Sequence, residues 1–103
     1  MKVKDGINAL QLVGQIGNNV GVKKLQAEAC MEYMVEIESN LENEITQIRE
    51  MNEKQQDEIT EEDKAEYESL MEAQVEYELK DLEIKNGWSV TASQLYELNK
   101  LIN

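Results

Sequence analysis

A chain of 103 residues with a formal net charge of −12, 31% charged residues and no histidine, proline or phenylalanine is bounded tightly before any element is placed. It is long enough for one domain at most, too apolar at 41% hydrophobic for a disordered tail, and without an imidazole for acid–base work or nucleophile activation. One Trp and four Tyr make a thin core, so self-association or a partner is expected to cover further apolar surface.

The charge is unevenly spread. Residues 1–25 hold four Lys and one Asp, residues 26–86 hold twenty acids against five bases, and residues 87–103 are balanced. Direct binding to nucleic acid is excluded for the middle segment, which would repel phosphates where counterion release is needed. A basic protein surface is its natural complement. Cys30 is the sole cysteine. It can form no intrachain disulfide and reads as a buried structural thiol. Lys2 and Lys4 precede an apolar run over Ile7–Val22, but Asp5, Asn8, Gln11 and Gln15 and the glycines interrupt it. The run is too short and too polar to span a bilayer, and no signal peptide is recognised. The expected location is cytoplasmic or virion-associated.

In chain order, Ile7, Leu10, Val13 and Ile16 have helical spacing and predict a first helix over about 7–16, capped by Asp5. Gly14, Gly17 and Gly21 recur at three and four residues, a pattern that lets another backbone approach closely, and Gly17–Gly21 reads as a turn. Gly14-Gln15-Ile16-Gly17 resembles the GxxG loop of the KH family. Since the loop has no basic residue and no strand before it, the preferred reading is a glycine turn or a close helix contact. The Gly17–Lys23 stretch lacks the spacing of a phosphate loop.

A second helix is expected over about 22–54, roughly 50 Å long at 1.5 Å per residue. Its apolar stripe is Ala27, Cys30, Met34, Ile37, Leu41, Ile45 and Ile48. A turn near Gln56 leads to Thr60, an N-cap followed by three acids. The third helix is expected over about 61–85, ending at Asn86-Gly87 with Gly87 at C′. It carries two stripes, Met71/Val75/Leu79/Leu82 and Leu70/Tyr77/Ile84, and two stripes require two neighbours. Thr91-Ala92-Ser93-Gln94 is a capping box, flanked by Val90 and Leu95 as a staple, and opens a fourth helix over about 92–102.

The sequence therefore predicts an all-α fold: a long antiparallel helical hairpin (22–54 and 61–85), coiled-coil-like, with short helices 7–16 and 92–102 packed at one end. It reads as a single helical domain over 1–103, divided into a glycine-containing segment 1–21, an acidic hairpin 22–86 and a capped helix 87–103. Trp88 is expected near Leu25–Ala29.

Functionally, no catalytic residue, cofactor or metal ligand is expected. The carboxylates lie on exposed helix faces, di-metal bundles need Glu-x-x-His pairs, and Asp57–Asp63 lacks the glycine of a calcium loop. The expectation is a non-enzymatic helical interaction or assembly protein of scaffold, virion or secretion-accessory type. It would bind itself as a homo-oligomer, or another protein, through Leu70, Tyr77, Ile84, Gly14, Gly17, Gly21 and Tyr33. The second reading is an acidic inhibitor or decoy, for example a phage anti-defence protein, that blocks a basic nucleic-acid-binding surface. Its residues would be the rows Glu68/Glu72/Glu76 and Glu28/Glu32/Glu36, which the first reading treats as a solvated face.

Overall fold

The computed structural model describes residues 1–102, and these are all-α: α1 (Val3–Gly17), α2 (Lys24–Asn40), α3 (Glu42–Asn52), a 3₁₀ turn at Gln56–Glu58, α4 (Glu61–Glu72) and α5 (Ala92–Ile102). The described residues extend 48 × 28 × 23 Å. α1 packs along α2, α5 and α4 pack on α1, and α3 pairs with α4 as a hairpin that turns through the 3₁₀ segment. The buried cluster is Val3, Ala9, Leu12, Val13 and Ile16 of α1, Cys30, Tyr33 and Ile37 of α2, Leu41, Leu98 of α5, and Met1.

The first helix starts four residues earlier than its sequence spacing indicates. Asp5 is not its cap. The chain enters at Lys2, and the N–H of Val3 is satisfied by the carbonyl of Ala73 at 2.9 Å. A helix start needs acceptors for its free N–H groups, and here a distant segment supplies one of them. At the other end Asn18 closes the helix twice: its backbone N–H reaches Gln15 O at 3.1 Å and its Nδ2 donates to Gly14 O at 2.7 Å. The turn that follows uses Gly21 at φ +81, a conformation that favours glycine.

The expected helix over 22–54 is two helices. Leu41 leaves helical geometry (φ −118, ψ 19), while its N–H still reaches Ile37 O and its carbonyl still accepts from Ile45. The residue just before it, Asn40, donates its Nδ2 one turn back to Glu36 O at 2.8 Å. A side chain competing for a helix carbonyl bends the ladder at that point. Leu41 is fully buried, so the bend turns its side chain into the core. The predicted stripe survives: each of its seven residues is buried or half-buried.

The third expected helix is the largest correction. α4 ends at Glu72, and Ala73 takes extended angles (φ −62, ψ 144). The extended segment that follows, to Lys85, bends at Glu76 and carries two exposed residues in succession at Lys80 and Asp81. Ala73, Val75, Tyr77 and Leu79 are half-buried against the core, alternating with exposed Gln74, Glu76, Glu78 and Lys80. Two helical stripes would demand two neighbours. In extended chain Ala73, Val75, Tyr77 and Leu79 fall on one face, which packs on the core cluster. The N-terminus anchors this arrangement. Val75 N–H donates to Met1 O at 2.9 Å, and the Met1 amino group donates to Val75 O and Tyr77 O. Gly87, expected as a helix C′, serves instead at φ +90 in a turn closed by Trp88 N–H to Lys85 O.

Both expected helix starts downstream are present. Thr60 and Asp63 exchange hydrogen bonds of 3.0 and 3.1 Å at the head of α4, and Thr91 and Gln94 do the same at the head of α5. Trp88 lines one cavity with Leu25, Gln26 and Ala29, as the expected layout requires.

Candidate interaction surface

The residues expected to meet another chain fall into three groups. Gly14 and Gly17 bring α1 close to α2 within the chain. A Cβ on Gly17 would stand 3.1 Å from Cys30 Cβ, and one on Gly14 would stand 3.5 Å from Met34 Cε. The small-residue face is thus used internally, and Gly21 serves the turn. Tyr33 is buried in the core, and its hydroxyl donates to Lys80 O at 2.5 Å. Leu70 lies near the end of α4, while Tyr77 and Ile84 lie on the extended segment, so the three do not share a helix face. All three are half-buried.

The acids divide likewise. Glu28, Glu32 and Glu36 do form an i,i+4 row on α2, but two are engaged: Glu28 with Lys24 at 3.7 Å, and Glu36 with Lys80 at 2.5 Å. Glu68 and Glu72 are on α4 and Glu76 is beyond it, so the second row ends at Glu72. Glu72 accepts from Lys2 at 2.7 Å and from Lys4 at 2.6 Å. These two ammonium groups hold its carboxyl down to about 2. The clamp ties the head of α1 to the end of α4.

Burial of Tyr33, with carboxylates of Asp81 and Glu36 nearby, pushes its phenol up to about 12 from an ordinary 10. A raised folded pKa means that the fold prefers the neutral phenol. The stability this represents is intact below pH 10 and is lost as pH rises toward 12. Tyr33→Phe is expected to cost about 1 kcal/mol at neutral pH through loss of the bond to Lys80, and to flatten the alkaline fall in thermal midpoint. Scanning calorimetry across that range checks both.

Stripe reasoning passed over two features. Gln26 is 2% exposed and sits where an apolar residue is expected. Its Nε2 donates to Ile16 O and Ser89 O, each at 2.9 Å, and its Oε1 accepts from Ser89 N–H at 2.8 Å. It therefore pins the end of α1, the start of α2 and the entry to α5 together, and no periodicity reveals such a polar clasp. The second feature is exposed apolar surface. Met31 and Val35 are 59% and 56% exposed, one helical turn apart on α2, while Val20 protrudes from the turn before it and Leu25 from its first turn. Met31 and Val35 flank a groove shared with Gly14, Gly17, Cys30 and Met34. Their four-residue spacing, off the main stripe, was the available signal.

Comparison with family models, curated proteins and solved structures gives no match. Among the described residues, no helix is long and apolar enough to cross a membrane.

Proposed function

We propose that this chain is a non-enzymatic assembly protein of scaffold, virion or secretion-accessory type that self-associates through the apolar surface of α2. The observation carrying the reading is the pair Met31 and Val35, large apolar side chains exposed side by side next to the α1–α2 groove. Side chains of this kind standing together beside a recess are what a helix-mediated interface buries. The stripe Leu70/Tyr77/Ile84 gives way to this pair, because those residues are half-buried and spread over two elements. The acidic decoy reading has less behind it, since Glu28, Glu36 and Glu72 already hold lysines of the same chain.

Light scattering of the purified chain at two salt concentrations tests the reading. A mass above monomer that persists at high salt is expected, because the contact is apolar and salt screens repulsion between chains of charge −12. Met31→Lys with Val35→Lys should return it to monomer while leaving the helical circular dichroism intact. A wild-type chain that stays monomeric at high concentration removes the reading. Steep loss of a basic partner with salt would support the decoy in its place.

A further inference from the structure

Trp88, Leu25 and Leu82 wall a cavity of about 430 Å³ between the first turn of α2 and the turn at Gly87. Small-ligand sites occupy about 300–1,000 Å³. Local hydrogen bonds fix both walls. The Gly87 turn is closed by Trp88 N–H to Lys85 O at 3.2 Å, and a turn of this kind holds its two end residues within about 7 Å at Cα. On the other side Gln26, which also lines the cavity, is tied to Ser89, the residue after Trp88. The walls are therefore formed before any ligand arrives.

The charges of the cavity select its occupant. Lys23, just before α2, and Lys85, at the head of the turn, both line it. Of the ten basic residues, all but Lys23, Arg49 and Lys85 hold a carboxylate of the chain at 3.9 Å or less among the described residues. Arg49 lies on α3 and does not line this cavity. In a chain of 22 acids and 10 bases, two lysines without an ion pair at one recess are the exception. Glu83 lines the same recess and makes no ion pair either, so two positive charges face one negative. We propose that the cavity binds a small aromatic monocarboxylate, its ring against Trp88 and its carboxylate paired with Lys23 and Lys85. Trp88 supplies an aromatic surface for offset or edge-on contact, and the leucines cover the rest of the ring. The net charge of one favours a single carboxylate over a phosphate dianion, whose second charge would meet Glu83. The site is separate from the α2 interface, because neither Met31 nor Val35 lines it.

The probe is naphthylacetate, titrated into the full chain at constant ionic strength and neutral pH. Trp88 is the sole tryptophan, so its indole N–H gives a single nuclear magnetic resonance signal that reports on the cavity. Saturable shifts are expected at that signal and at the backbone amides of 23–29 and 82–88. Naphthylacetamide keeps the ring, loses the charge and should bind about tenfold more weakly or worse. The variant Lys23→Gln/Lys85→Gln alters two exposed side chains without ion pairs, keeps the fold and should lose a similar factor. Glu83→Gln should bind naphthylacetate at least as tightly as wild type. Equal affinity for the acid and the amide, or an unchanged affinity in the lysine variant, would overturn the anion site. Tighter binding of naphthyl phosphate would overturn the monocarboxylate. Shifts that fall on Met31 and Val35 instead, or no saturable shift at millimolar probe, would remove the cavity as a ligand site. Shifts at Trp88 that follow protein concentration without any probe would give the cavity to a second copy and overturn the proposal.

Discussion

Gln26→Leu should destabilise the chain by about 3 kcal/mol or more, although it replaces a polar residue with an apolar one of similar size in a core position. Gln26 occupies that position because three backbone groups converge on it. Ile16 O belongs to the last turn of α1, where helix carbonyls have no partner of their own, and Ser89 N–H and O lie beside it on the approach to α5. Leucine leaves all three without their partner, and a buried group left unmade costs more than a typical hydrogen bond contributes. Gln26→Glu separates this cause from simple packing. Its carboxylate could still accept from Ser89 N–H but would face the carbonyls of Ile16 and Ser89, so burial and these oxygens should raise its pKa. A raised folded pKa means that the protonated variant is the more stable one. Its deficit should be smallest below the usual carboxylate range and grow as pH rises through the folded value. The leucine deficit should not change over that window. Urea unfolding of both variants at acidic and neutral pH distinguishes them, and a leucine variant as stable as wild type would refute the clasp.

Ile37→Ala should cost about 2–5 kcal/mol. Ile37 is 0% exposed and stands at the centre of the α2 stripe, between Cys30 and Leu41 in the same cluster. Removing its outer carbons leaves a void that close-packed neighbours fill only in part. For a domain with about 5–15 kcal/mol of total stability, that is a large fraction. Met31→Ala, six residues earlier and 59% exposed, should lie within about 0.5 kcal/mol. The contrast tests the orientation of α2 directly. Urea midpoints with an unchanged denaturant slope would report it, and equal losses at the two positions would mean that the helix is turned differently.

Much of this fold is legible in the sequence, for reasons that can be named. The all-α class follows from the α2–α3 stripe, whose three- and four-residue steps fit only one period. The starts of α4 and α5 follow from Thr60 with Asp63 and Thr91 with Gln94, because a capping box closes within four residues and needs nothing from elsewhere. The turn at Gly21 follows from glycine's freedom at positive φ. The interaction surface is less legible. Met31 and Val35 can be placed off the stripe from spacing alone, but only the packing of α1 shows that Gly14 and Gly17 are used inside the chain and that Tyr33 is closed off.

Tertiary structure alone decided the fate of residues 73–85. Met71, Val75 and Leu79 fit a helix at steps of four, while Ala73, Val75, Tyr77 and Leu79 fit extended chain at steps of two, and the two patterns share residues. Local preference cannot choose between them. The choice falls to what is available to bury them: one core face from α1 and α2, and the backbone of Met1–Val3 to pair with Ala73 and Val75. The same contact sets where α1 begins, since Ala73 supplies the acceptor for Val3 N–H. Gln26 is fixed in the same way, by carbonyls that meet only once the helices have packed. The sequence by itself determined where α4 and α5 start and which faces are apolar. Packing determined where one helix had to stop, because extended chain turns Ala73, Val75, Tyr77 and Leu79 onto the one core face available.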